Sequence, residues 1–390
     1  MEVSAGTKEL PAKFLQPSGS GECLIPCPAS LSIASSLDEI LISARRYNSS
    51  DVHLCSGAPV IFRRFGILTK VMADVLTVDR LEAMIKESVP EDKMRQVLET
   101  GDVEYVHTIP GAGRYRVVVC RRRFGWDMTV RVIDKDIRSF EASGMPASCK
   151  GLTKWAQGLV LVAGPAGCGK SSTLATLIEM INQTRDDHII TIEDPIEIVY
   201  EPRKCQISQR EINLHTLSSA NALRAALRED PDIIIVGELR DLETIQLAVT
   251  AGETGHLVFG TMNTNDAAQT IASLVGSFSP DEQPVIRSMI SESLRGVICQ
   301  QLIPRADGKG LVPAYEVLIM NSAAGALVRK GRTQQLNNVI ATGKNDGMAL
   351  LDNSMMALVT SGMINGYEAY CRAINQSYFA QYARSPRGQN

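Results

Sequence analysis

The sequence predicts an α/β fold: a parallel sheet buried on both faces, preceded by a smaller α+β domain. Three observations carry that expectation. From Gly158 onward the apolar runs GLVLVAG, IITIED, IIIVGE and HLVFGT alternate with helical patterns, the signature of strands covered on both sides. The glycine-rich segment Gly164–Ser172 joins the first of these runs to a helical pattern. Before Gly158, the β-rich runs RYRVVV and MTVRVI lie close together within residues 103–133, as in a meander.

Residues 1–30 are rich in Ser, Gly and Pro without any period, and read as a loose tail. Order is expected from Ser36, which has capping-box spacing to Glu39, with Leu37, Ile40, Leu41 and Ala44 on one helical face. Short strands follow around Val60–Phe65 and Leu68–Val71, then a helix after Thr77 that turns Leu81, Met84 and Ile85 inward. Together residues 31–140 form the α+β domain. The Gly, Pro, Ser and Lys of 141–153 suggest a linker, 154–376 the larger α/β domain with a helical C-terminal part, and 377–390 a frayed tail.

Bulk composition narrows the function classes. Hydrophobic content of 44% and charged content of 21% are ordinary for a globular chain. A net charge of -3 gives no support to a general binder of nucleic acid or anionic membrane, although Arg121-Arg122-Arg123 is a local basic candidate. The nine cysteines are scattered and read as reduced thiols of a cytosolic protein. Cys23 and Cys27 form a close pair, but no second pair or histidine cluster completes a zinc site. The N-terminus lacks an apolar signal region, and no apolar stretch approaches the ~20 residues a membrane helix needs.

The strand GLVLVA runs into Gly164-Pro165-Ala166-Gly167-Cys168-Gly169-Lys170-Ser171, which fits G-x-x-x-x-G-K-[ST] between strand and helix. Glycines let backbone N–H groups turn around phosphates, and the helix N-terminus adds its positive end. Lys170 then reaches the β/γ-phosphates and the Ser171 hydroxyl ligates Mg²⁺, with Ser172 completing the segment. Glu238 ends the run DIIIVGE, and a carboxylate at a strand's carboxyl end lies on the ligand side of an open α/β sheet. It is a candidate for the Mg²⁺ shell or for positioning water; by itself it also fits a solvated strand-end acid. The strand IITIEDPIE brings Glu193, Asp194 and Glu197 to the same edge, and Glu193 is the candidate for orienting an attacking water.

At this point the residues resemble a family. The loop segment, IEDPIE, the run Gln209–Pro231 containing ALRAALREDP, VGELRD and ETGHLVFGT, in that order, resemble the secretion ATPase superfamily of the GspE/PilT type. The nearest resemblance is to the PilT-like retraction ATPases, and SDVHL and GRYRVV match that group's N-terminal domain; the likeness spans residues 32–376. It implies a RecA-like P-loop core preceded by a PAS-like domain, assembled as a homohexamer with ATP and Mg²⁺ bound between N- and C-terminal domains. It further implies a cytoplasmic protein, peripheral at the inner membrane through a platform protein of a pilus or of a transfer or secretion system. Carried over by position, Lys170 and Ser171 belong to Walker A, Glu238 is the Walker B acid, Glu193 and Asp194 fall in the Asp box, and His256 in the His box. Asp194 thereby joins Ser171 and Glu238 as a metal-side candidate. Arg116 and Arg131 match the arginines that reach the nucleotide from the N-terminal domain; taken alone, both read as solvated strand-face charges.

This chain departs from the pattern at three places, one of them an N-terminal tail longer than the group usually carries. Asn263 stands where the His box has its second His, and an amide cannot be protonated. The retraction signature helix is replaced by residues 323–330, with Gly325 for its internal arginine and Lys330 at its acidic end. The paired C-x-x-C motif of pilus-assembly and type II secretion ATPases is absent, which favours the retraction-like branch, with conjugal and type IVB secretion ATPases of the TraJ and DotB kind as near relatives. The implied function is a mechanochemical ATPase working on a membrane-embedded pilus, secretion or conjugation apparatus. The alternative is a nucleic-acid translocase or helicase-like ring. Against that alternative stand the acidic balance and the lack of interleaved basic and aromatic residues. A non-hydrolysing ATP sensor is disfavoured by the presence of both Glu193 and Glu238.

Overall fold

Six strands, all paired antiparallel, make the first sheet. A computed structural model describes residues 31–384 apart from Ile33 and Lys135, so the expected tail and the pair Cys23 and Cys27 lie outside the described residues. The chain divides into two compact units between Lys135 and Asp136. The first unit runs α1 (Leu37–Arg46), β1 (Ser49–Cys55), β2 (Pro59–Arg64), β3 (Ile67–Val75), α2 (Val78–Ser88), α3 (Glu91–Thr100), β4 (Asp102–Ile109), β5 (Gly113–Arg122) and β6 (Gly125–Val132). Strand order is β3-β2-β1-β6-β5-β4.

The expected capping box is present: Glu39 N donates to Ser36 Oγ at 3.3 Å and Ser36 N to Glu39 Oε2 at 2.8 Å, satisfying two otherwise orphaned amides. Thr77 caps α2 with a single bond, its Oγ1 accepting from Arg80 N at 3.2 Å, and Leu81, Met84 and Ile85 are buried. On β5, buried Tyr115, Val117 and Val119 alternate with partly exposed neighbours, so one face of the sheet packs on the helices and the other meets water.

The second unit runs α4 (Phe140–Ser143), α5 (Cys149–Leu152), β7 (Gly158–Ala163), α6 (Lys170–Thr184), β8 (His188–Glu193), β9 (Gln206–Glu211), α7 (Ser219–Ala226), β10 (Ile233–Val236), α8 (Leu242–Glu253) and β11 (Leu257–Met262). It continues through α9 (Ala267–Gly276), α10 (Gln283–Ser293), β12 (Leu294–Pro304), β13 (Leu311–Ile319), α11 (Ser322–Arg329), α12 (Leu336–Thr342), α13 (Leu351–Thr360) and α14 (Gly366–Arg372). The sheet order is β13-β12-β7-β11-β10-β8-β9, parallel from β12 to β9, with β13 antiparallel at the edge. Every residue of β7, β10 and β11 is buried, because helices cover both faces.

Two expectations need correction. The stretch 141–153 is no linker: α4 and α5 set Phe140, Met145, Cys149 and Leu152 into the core of the second unit. Its Gly, Pro and Ser do make turns, but each turn delivers an apolar anchor. Nor is the chain frayed from residue 377, since a 3₁₀ turn over Gln376–Tyr382 buries Phe379 completely against the cluster of Leu351, Met355 and Ile364. The altered helix α11 lies so close to α10 that a Cβ on Gly325 would sit 3.3 Å from Ser291 O, so a side chain there would need the two helices to ease apart by a few tenths of an ångström.

Candidate functional site

The loop that follows β7 is shaped by its glycines. Gly164 has φ +149°, and a Cβ there would fall 2.4 Å from both Cys168 Sγ and Gln300 O, so only glycine fits between the loop and β12. Gly167 and Gly169 also take positive φ. Gly169 then caps α6 without a side-chain hydrogen bond, so the first amides of this 15-residue helix stay open toward the loop. Pro165, Ala166 and Gly167 are exposed, Cys168 is buried beneath them, and Ser171 and Ser172 begin the helix. Burial pushes the Cys168 thiol up, so it serves as packing rather than as a nucleophile.

Lys170 Nζ donates to Gly164 O at 2.8 Å, Pro165 O at 3.1 Å and Asn263 Oδ1 at 2.8 Å. Burial holds its pKa below the ordinary lysine value, opposed by the nearby Cys168 and Glu238. Parallel pairing then brings distant residues together: β11 pairs β7 on one side and β10 on the other, so Asn263, just past β11, lies between the loop and Glu238. Asn263 Nδ2 donates to Glu238 Oε1 at 2.6 Å, and Arg240 donates to Glu238 Oε2 at 2.8 Å.

Glu193 ends β8, the other neighbour of β10, and is half-buried. Its Oε1 accepts from Thr191 Oγ1 at 2.6 Å and from Gln209 Nε2 at 3.1 Å, which fixes the carboxylate at the strand end. Asp194 continues the chain past that end and is exposed. His256 is not brought to this edge. It precedes Leu257, which pairs with Gly158 at the opposite end of β7, so a strand of six residues, about 20 Å at 3.3 Å each, separates it from Asn263. Its ring nitrogen Nδ1 faces Ala251 O at 3.3 Å instead.

In the first unit, Arg116 on β5 and Arg131 on β6 are direct cross-strand partners on the wetter face of the sheet. Arg131 Nε donates to Asp51 Oδ1 at 3.1 Å, and Arg116 pairs with Glu104. These contacts show two guanidinium groups held side by side by acids of their own sheet.

Sequence reasoning missed three residues that hold the site. Gln300, 4% exposed, donates from Nε2 to Cys168 O at 2.7 Å and accepts from Thr173, bracing the loop from β12. Its signal was a polar residue inside the apolar strand VICQQLIP. Gln209 and Arg240 hold the two carboxylates; the Gln209 contact depends on the pairing of β9 with β8, whereas Arg240 is only two residues from Glu238. A pocket of about 530 Å³ opens beside the loop, lined in part by Gly167, Asp266, Gln269, Leu302 and Arg372, within the size range of small-ligand sites.

The donors present fit MgATP. Open helix amides and an ammonium suit phosphate oxygens. Among the described residues no group of three or more His, Cys, Asp or Glu gathers as a metal cage. None is needed, because Mg²⁺ bound to phosphates takes only one or two protein oxygens. A glycine loop between a buried parallel strand and an uncapped helix, facing carboxylates on neighbouring strand ends, defines a P-loop ATPase.

Comparison with known proteins places that ATPase in a family. The family model described as "Type II/IV secretion system protein" matches residues 29–345, and the chain belongs to that family. It is 41% identical over 329 residues to the type IV pilus retraction ATPase PilT of Pseudomonas aeruginosa, covering 84% of this chain and 95% of that one. The crystal structure of the pilus retraction motor PilT with bound ADP superposes with a TM-score of 0.78 at 37% identity, covering 89% of this chain and 99% of the other. The Legionella pneumophila ATPase DotB gives a TM-score of 0.78 at 26% identity, covering 90% and 99%. Among the described residues no helix is long and apolar enough to cross a membrane.

Proposed function

We propose that this chain is the subunit of a ring-shaped, Mg²⁺-dependent motor that couples ATP hydrolysis to mechanical work on a type IV pilus or a related secretion or conjugation apparatus. The observation that carries the reading is the convergence of the phosphate loop, Glu238 and Glu193 on one edge of the parallel sheet. PilT is named for pilus retraction, and the likeness to it spans most of both chains. A homohexamer at the cytoplasmic face, attached through an inner-membrane platform protein, is part of the same proposal.

Loop amides and Lys170 bind and neutralise the β/γ-phosphates. Ser171 and Glu238, with Asp194 nearby in sequence to Glu193, are the residues that would hold Mg²⁺, whose contribution is to neutralise phosphate charge. Glu193, held by Thr191 and Gln209, orients the attacking water. Arg116 and Arg131 are proposed to reach the transferring phosphoryl group, exchanging their acid partners for phosphate oxygens.

The test is phosphate release by the purified full chain with MgATP. Turnover should fall by about 100-fold or more in Lys170→Ala and Glu238→Gln. Undiminished turnover in both would sink the site assignment. Native mass measurement with nucleotide should give a ring, and a stable monomer would remove the ring from the proposal. Hydrolysis stimulated by DNA with a steep salt dependence would instead favour a nucleic-acid translocase.

A further inference from the structure

Asn263 is exposed, yet its side chain bonds two groups of opposite charge. Its Oδ1 accepts from Lys170 Nζ at 2.8 Å while its Nδ2 donates to Glu238 Oε1 at 2.6 Å. The neighbours dictate this orientation of the amide: an ammonium can only donate, and an ionised carboxylate can only accept. The remaining bonds of both partners go elsewhere, Lys170 to the carbonyls of Gly164 and Pro165, Glu238 to Arg240. The amide is therefore the link between the loop cation and the strand-end acid.

We infer that Asn263 is a positioning residue: its neutral amide keeps the Lys170 ammonium and the Glu238 carboxylate bridged but apart, so that each faces the reacting phosphate. The physical reason is the pull between the two charges. Beside a partly buried lysine their attraction is stronger than in bulk water. The four-carbon stem of lysine is flexible enough to close on a nearby acid. A direct ion pair would occupy the ammonium needed at the phosphate oxygens and the carboxylate oxygen needed at the metal or water. An amide satisfies both ends at once with no charge of its own, and β11 holds it in place through its pairing with β7 and β10.

Substitutions distinguish a spacer from a bystander. Alanine removes both bonds. Aspartate keeps the shape and the acceptor for Lys170, but loses the donor and sets a second negative charge beside Glu238. Histidine, neutral at pH 8, offers one donor and one acceptor and restores the pattern.

This inference rests on the hydrolysis reading, so kcat and KM for MgATP are measured at pH 8 in the parent protein, Asn263→Ala, Asn263→Asp and Asn263→His. In the alanine and aspartate variants kcat should fall by about 100-fold, the scale of a misplaced reacting group, while KM rises by less than about 5-fold because the loop amides still hold the phosphates. The histidine variant should recover kcat to within about 5-fold of the parent. Thermal midpoints should not change, since the side chain is exposed. An active parent with an unaltered alanine variant overturns the inference alone, as does a histidine variant as impaired as alanine. An inactive parent overturns the hydrolysis reading and the inference with it.

Discussion

The two sheets of this protein expose different parts of themselves. The antiparallel sheet of the first unit buries one face and leaves the other to water, and across that open face lie Asp51, Arg131 and Arg116 on adjacent strands. In the parallel sheet of the second unit β7, β10 and β11 are buried throughout, and the phosphate loop, Glu193 and Glu238 lie where the strands end. A half-covered sheet can present side chains in rows, whereas a fully covered one can present them only at its carboxyl edge.

The comparison breaks most visibly at glycine. A Cβ on Gly164, at the end of β7, would meet Cys168 Sγ and Gln300 O at 2.4 Å each, and its φ of +149° is itself unfavourable. A Cβ on Gly111, between β4 and β5, meets nothing within 4 Å at φ +78°. Gly164→Ala should therefore cut ATP turnover by about 100-fold or more, because the loop cannot close without displacing β12 or Cys168. Gly111→Ala should cost only about 1 kcal/mol of stability, from its left-handed backbone, and leave turnover near the parent value. Equal turnover in the two variants would show that edge backbone is no more critical than a hairpin of the other sheet.

How much of this was legible in the sequence follows the same division. Local patterns carried far: the capping box at Ser36, the cap at Thr77, the buried Leu81, Met84 and Ile85, and the loop after β7 were all readable from spacing. Glu193 and Glu238 were readable as strand-end acids. What was not readable was adjacency. Asn263 lies 93 positions from Lys170, and Gln300 is 132 positions from Cys168; only the order β12-β7-β11-β10 brings them into contact. His256 shows the reverse failure, since its motif sits next to a site strand in sequence but at the far end of it in space. The helices of 140–152 were hidden because turn-forming composition and burial are compatible whenever each turn carries one apolar anchor.

The open face makes a second, smaller prediction. Arg116 and Arg131 are partly exposed; Arg116 touches the exposed Glu104, and the buried Asp51 that Arg131 holds keeps Arg63 at 3.8 Å and the Ser50 hydroxyl as further partners. Arg116→Ala and Arg131→Ala should each lower turnover by about 10- to 100-fold, less than loss of the loop, and change the thermal midpoint little. Lysine at either position should rescue only in part, because it cannot fork onto phosphate oxygens. Steady-state hydrolysis beside a melting curve checks both. Unchanged turnover would leave these arginines as a charged row on a sheet face and confine the chemistry to the strand ends.

The smallest effect concerns an acid on the covered sheet, where no water is available to solvate it. Glu316 on β13 is 1% exposed and is held by two helix starts: Oε1 accepts from Ala267 N at 2.8 Å and Oε2 from Leu351 N at 3.3 Å. Burial pushes its pKa up to about 7, with Asp266 and Asp352 adding to the rise and the two amides opposing it. Below the ordinary value of 4.5 both folded and unfolded chains hold the proton, and the group makes no difference. Between 4.5 and about 7 only the folded chain holds it, so the stability this residue contributes falls as pH rises, and above about 7 the penalty is constant. Glu316→Gln cannot titrate, and its amide nitrogen faces a backbone N–H at a cost that does not vary with pH. The midpoint of the variant relative to the parent should therefore climb from pH 5 to pH 8, at about 2–4 °C for each kcal/mol, and then level off. A difference that stays flat across that window would mean the carboxylate is ionised in the folded protein throughout, held by the two helix starts strongly enough to outweigh burial on the covered sheet.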